Sequence, residues 1–220
     1  MNRTFITATG TGIGKTLLTE VLIRQLRRQK KSVRALKPLI SGISDATLAD
    51  SDTARILDAL GDPVTPENIA RVSPWRFEAP LSPDMAAIRE GRSVDFLKLI
   101  DFCELPRAAD HVLIEGVGGA FVPLNEGHVV ADWIAELGIP TLLVCGSYLG
   151  TLSHTIATVA ALATRRVTVS GIVISESEDS PVPLQETQAS MARFTGPIPI
   201  VCLPRVASWT DAPDLTPLIA

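Results

Sequence analysis

The chain has 220 residues, 46% of them hydrophobic and 20% charged, with a formal net charge of −4. That length gives a core for one domain, and the slightly acidic balance offers no broad positive field for nucleic acid or an anionic membrane. Cys103, Cys145 and Cys202 are an odd, widely spaced set with no CxxC pair, which argues against a disulfide framework or zinc site and fits a reducing, cytoplasmic setting. Met1-Asn2-Arg3 leads into a strand without an apolar leader, and no apolar run reaches bilayer length, so a soluble intracellular protein is expected.

The first predicted element is also the most informative. Phe5 to Thr16 reads FITATGTGIGKT: an apolar β-branched stretch, then Gly10, Gly12 and Gly14, then Lys15-Thr16 opening an apolar-periodic helix. Strand, glycine loop and helix in that order lay out a phosphate-binding P-loop. Glycines let successive backbone N–H groups turn inward around an anion, and the helix N-terminus adds its dipole. Lys15 is expected to reach the β- and γ-phosphates and the Thr16 hydroxyl to sit on Mg²⁺. The strict pattern asks for Gly where Thr9 stands, so the match is to the GxGKT end.

Leu17 to Leu26 keep a helical period, and Arg27, Arg28, Lys30 and Lys31 close that helix as solvated charge suited to its C-terminus. A strand at Val33 to Leu36 ends on Lys37-Pro38. The carboxyl ends of strands face the crevice where open α/β sheets bind ligands, so Lys37 is a second phosphate-clamp candidate. Ser41-Gly42 begins a polar loop, and a short helix runs from about Ser51 to Leu60. Asp62 to Pro83 holds five prolines and reads as a stiff loop that walls a pocket or meets another subunit. Helical stretches over about Pro83 to Glu90 and Val94 to Glu104 lead back to the sheet. Val112 to Ile114 then finishes on Glu115-Gly116-Val117-Gly118-Gly119, a strand ending in a carboxylate placed to hold Mg²⁺, followed by glycines that allow close backbone approach.

Beyond it, strands at Pro140 to Val144, Val167 to Ile174 and Ile198 to Cys202 alternate with helices at Thr151 to Ala163 and Leu184 to Arg193. Such alternation implies parallel strands with right-handed crossovers. The expected fold is α/β and three-layered: one P-loop NTPase-like domain over residues 1–220, with a mostly parallel sheet of about seven strands and helices on both faces.

The motifs together resemble the dethiobiotin synthetase family. They are the GIGKT loop, LKPLISG (Lys37 to Gly42), SDTARIL with Asp52, FEAPLSP (Phe77 to Pro83), IEGVGGAFVPL (Glu115 to Leu124), ADW (Ala131 to Trp133) and LGTLSHT (Leu149 to Thr155). The resemblance implies an ATP- and Mg²⁺-dependent ring closure from 7,8-diaminononanoate and CO₂, through a carbamate and a carbamic-phosphoric anhydride. It implies Lys15 and Lys37 as catalytic cations and Thr16, Asp52 and Glu115 as metal ligands. ATP would lie against Thr11, Gly12, Ile13, Gly14, Lys15, Thr16, Glu115, Gly118, Ser175 and Pro204. The diamino acid would meet Thr11, Lys37, Ser41 and Gly118, and its distal carboxylate would meet Leu149, Gly150, Thr151 and Ser153 from the second subunit of a homodimer. Ser153 stands where the family usually has Asn, Tyr148 where Lys is common, and Asp84 where His is frequent. Ser175 replaces an Asn that reads adenine.

Two other readings compete: an ATP-dependent amidoligase, for which the chain lacks room for a glutaminase, and a partitioning-type switch ATPase. The latter carries a lysine near the start of its loop, where this chain has Gly10.

Overall fold

β1 (Asn2–Ala8) carries Phe5 on one face and Ile6 on the other, and neither has any solvent exposure. A strand buried on both sides belongs in the middle of a parallel sheet. The computed structural model, which describes residues 2–44, 46–105 and 108–219, puts it there. The sheet runs β2 (Val33–Leu36), β5 (His111–Glu115), β1, β6 (Thr141–Cys145), β7 (Val169–Ser175), β8 (Ile200–Leu203), and every pairing is parallel.

Six strands make this sheet, not about seven. The short β3 (Leu39–Ser41) and β4 (Trp75–Phe77) pair with each other in a separate parallel ribbon. Pro38 lies between β2 and β3, and a residue without an N–H cannot continue a ladder.

On the Ile6 face lie α1 (Lys15–Arg28), α2 (Asp52–Leu60) and α3 (Pro66–Val72), packed through Leu18, Leu22, Ile56, Leu57 and Ile69. On the Phe5 face lie α4 (Pro83–Arg89), α5 (Phe96–Glu104), α6 (Val130–Leu137), α7 (Thr151–Thr164) and α8 (Leu184–Ala192). Phe5 meets Trp133 of α6 edge to face at 4.8 Å between ring centroids, a favoured aromatic geometry.

The segment expected as a proline-stiffened loop is not loop throughout, since it contains α3 and β4. Pro66 sits in the first turn of α3, where its missing N–H costs nothing, and Thr65 Oγ1 caps the helix by accepting from Asn68 N. α6, a helix with no counterpart among the expected elements, begins at the ADW motif. Asp132 Oδ2 accepts from Val129 N at its start, and Gly138, at φ 59°, ends it. Among the described residues no helix is long and apolar enough to cross a membrane.

Candidate active site

Because β5 lies between β1 and β2, three chain segments distant in sequence end side by side: the glycine loop after β1, Glu115 at the end of β5, and Lys37 just past β2. Two glycines set how close they come. Gly14, at φ 98°, caps α1 in the left-handed region, and a Cβ there would collide with the Ser175 hydroxyl. A Cβ on Gly119 would lie 3.2 Å from the Cα and N of Gly10. The loop backbone therefore rests directly on the turn that follows β5.

Glu115 is fully buried and fully partnered. Thr16 Oγ1 donates to its Oε1 at 2.8 Å, Thr19 Oγ1 to its Oε2 at 2.6 Å, and Lys37 Nζ to Oε1 at 2.6 Å. Lys37 Nζ also lies 2.9 Å from Asp52 Oδ2, so one ammonium bridges two carboxylates. Burial works against the charge on Lys37, but Glu115 and Asp52 outweigh it and hold the ammonium above its ordinary range. For Asp52, burial opposes ionisation while Lys37, Thr16 and Arg55 favour it, and its carboxyl falls below the usual value. Lys15 contrasts with both: among the described residues its Nζ donates to Gly10 O alone, at 3.3 Å, and burial with the nearby Lys37 charge lowers its pKa to about 8.

Two clefts adjoin these groups. The outer, about 800 Å³, runs from Gly10–Gly14 to Ser175 and Pro204. The inner, about 290 Å³, is floored by Lys15, Thr16, Lys37, Ser41, Asp52 and Gly118. Thr11, Gly12 and Gly14 border both.

The structure thus brings together most of the residues singled out from sequence. It does not bring Gly150, Thr151 or Ser153 to either cleft; Leu149 borders the outer one, and Thr151 is buried with its hydroxyl donating to Gly146 O. Ser41 lines the inner cleft while its hydroxyl donates to Leu81 O at 2.6 Å. Asp52 is the first residue of α2, and the cap itself is Ser51, whose Oγ accepts from Ala54 N. Two site residues went unread: Thr19, one turn beyond Thr16, and Arg55, which lines both clefts. The three-residue spacing of Thr16 and Thr19 was a usable signal, since it puts both hydroxyls on one helix face.

Among the described residues no group of three or more His, Cys, Asp or Glu is placed to hold a metal alone. Asp52 and Glu115 are hard oxygen donors already gathered around a cation, the Lys37 ammonium, with the Thr16 hydroxyl on Glu115, and such a set suits Mg²⁺ that keeps waters and phosphate oxygens as its other ligands.

A glycine loop seated on the strand that carries the acid defines a P-loop enzyme, and residues 2–212 match the family described as AAA domain. Structures of a ParA family ATPase from Chlorobium tepidum TLS and of the septum site-determining protein MinD with Mg-ADP from Pyrococcus horikoshii OT3 share the fold. Their TM-scores are 0.54 and 0.53, at 14% and 17% identity, covering 94% and 92% of this chain and 86% and 81% of theirs. Sequence narrows the class. The ATP-dependent dethiobiotin synthetase BioD of Acidiphilium cryptum is 48% identical over 96% of this chain and 98% of its own length. That of Methylobacterium nodulans is 42% identical over 93% and 94%. The chain belongs to the ATP-dependent dethiobiotin synthetase family, ligases of biotin synthesis.

Proposed function

We propose that the chain uses ATP and Mg²⁺ to close the cyclic urea of dethiobiotin from 7,8-diaminononanoate and CO₂, releasing ADP and phosphate. The observation that carries this is the meeting of Lys15, Lys37, Asp52 and Glu115 where a nucleotide-sized cleft opens into a smaller one. The base lies near Ser175 and Pro204, the phosphates on the N–H groups of Thr11 to Thr16, and the diamine in the inner cleft near Thr11, Ser41 and Gly118.

One amine adds to CO₂ and loses a proton, giving a carbamate. A carbamate oxygen attacks the γ-phosphorus as ADP leaves, and the second amine then attacks the carbamoyl carbon and expels phosphate. Carbamate and triphosphate are both anionic, so their approach needs positive charge between them. Lys37 supplies a fixed cation because its carboxylate neighbours keep it protonated, and Lys15 supplies one on the phosphate side. Thr16, Asp52 and Glu115 would hold Mg²⁺, whose chemistry there is to neutralise phosphate oxygens.

The substrate's distal carboxylate is assigned to the start of α7 in a second copy of the chain, at Leu149, Gly150, Thr151 and Ser153, where a helix N-terminus favours an anion. Supporting this, α7 has no Asp, Glu, Lys or Arg over 14 residues and buries only Thr151, Thr155 and Leu162, leaving Leu152, Ile156 and Val159 half-exposed for a homodimer. The odd, widely spaced set of Cys103, Cys145 and Cys202, with no CxxC pair, fits a cytoplasmic setting.

The test is turnover of ATP with isotopically labelled bicarbonate, with and without the diamine. The expected product is a ring carrying the labelled carbon, with phosphate release that depends on both additions. Turnover indifferent to diamine and bicarbonate would sink the proposal and favour a switch ATPase.

A further inference from the structure

α1 and α2 pack side by side, and two pairs of residues face each other across them. Thr16 and Glu20 are four apart on α1; Asp52 and Arg55 are three apart on α2. Both spacings stack side chains on one helix face. The inner pair, Thr16 and Asp52, are metal-ligand candidates. The outer pair, one turn farther along, is Glu20 and Arg55, joined by two bonds: Arg55 Nε to Glu20 Oε1 at 3.1 Å and Nη2 to Oε2 at 2.6 Å.

This ion pair has features that a strut between helices does not need. Arg55 lines both clefts, at the partition where Gly12 and Gly14 also border each. Its side chain keeps 45% of its exposure while Glu20 keeps 15%, so the cation faces the opening and the anion is the sheltered partner. Asp52 and Glu115 also act on the guanidinium, which places it within the field of the inner cleft. In this structure Lys15, Lys37 and Arg55 are matched in number by Glu20, Asp52 and Glu115. A polyphosphate adds several negative charges to that balance. Lys37 is fixed between two carboxylates and Lys15 already sits at the loop; of the arginines, Arg205 lines the outer cleft and Arg55 lines both, so Arg55 is the one placed beside the phosphate seat.

We propose that Arg55 binds the phosphate chain of ATP from α2, leaving Glu20 when the cleft fills. The inference rests on reading the glycine loop as the seat of those phosphates. A guanidinium presents a planar fork of donors that suits two phosphate oxygens at once, which an ammonium cannot do. Glu20 then serves as a parking partner that keeps the arginine extended toward the cleft.

The experiment is calorimetric binding of ATP with Mg²⁺ to the wild-type chain and to Arg55→Gln, Arg55→Lys and Glu20→Gln, with thermal unfolding of each. Arg55→Gln is expected to weaken ATP by about tenfold or more, the scale of lost charge-assisted hydrogen bonds, and Arg55→Lys to recover part of the loss. Glu20→Gln breaks the same ion pair but frees the guanidinium, so it is expected to bind ATP at least as tightly as wild type. Should Arg55→Gln fail to fold, the same contrast is read between Arg55→Lys and Glu20→Gln. Wild-type affinity in the Arg55 variants, or equal weakening in Glu20→Gln, would overturn the proposal and leave the pair as a helix strut. A wild-type chain that binds no ATP would instead overturn the assignment of the loop, and this proposal with it.

Discussion

Lys37 Nζ and Glu115 Oε1 stand 2.6 Å apart, with side-chain exposures of 4% and 0%. In a pair so little exposed each charge helps to offset the cost of burying the other, and removing one leaves the other with fewer partners: Asp52 for Lys37, Thr16 and Thr19 for Glu115.

Glu115→Gln is therefore expected to lower stability by about 3 kcal/mol, the low end for breaking a buried pair, since Asp52 still faces the ammonium. Urea denaturation measures this. Adding Lys37→Met should return part of the loss, because no ammonium then remains to be neutralised. An unchanged midpoint in Glu115→Gln would mean that the pair is not formed in solution.

Lys15 leads to a pH prediction. Burial and Lys37 depress its pKa from 10.5 to about 8 in the empty site, whereas bound phosphate favours the ammonium and raises it. The bound form thus has the higher pKa. ATP affinity attributable to Lys15 is fully present below about pH 8 and declines as pH climbs toward the bound-state value, and binding takes up protons across that window. Calorimetry in buffers of different ionisation heat should show the uptake, and Lys15→Gln should abolish it.

Lys15→Gln is expected to reduce turnover at least about a hundredfold, the scale of a lost electrostatic stabiliser, with the fold intact by circular dichroism. Wild-type turnover in this variant would remove Lys15 from the mechanism.

In the outer cleft, the Ser175 hydroxyl lies against Gly14. A hydroxyl offers one donor and a short reach, too little to read both edges of a purine. Competition among ATP, GTP, CTP and UTP should show preferences within about tenfold, the scale of one hydrogen bond. Strong selection of adenine would show that other groups read the base.

Much of this was written plainly in the chain. Phe5 to Thr16 announces strand, loop and helix because its apolar period changes at the glycines. Glu115 is legible because a run of three apolar residues stops on it. α3 and α6 were harder: each is short, one begins at a proline inside a proline-rich stretch, and the other follows a motif-bearing turn. Asp52 owed its selection to family resemblance, since beside Ser51 it looks like a cap, and only the folded chain shows it reaching Lys37. Arg55 left no trace, because its meaning depends on which helix faces it, and that is a property of α1–α2 packing and not of local spacing.

The lane that β5 fills between β1 and β2 also has a consequence for how the chain matures. While the polypeptide is being made, β1 and β2 leave the ribosome well before His111 to Glu115, so neither has its shared neighbour and Lys37 lacks its inner counter-charge. A nascent fragment ending before His111 thus holds the whole glycine loop without the turn on which that loop rests, and the outer wall at Ser175 and Pro204 emerges later still.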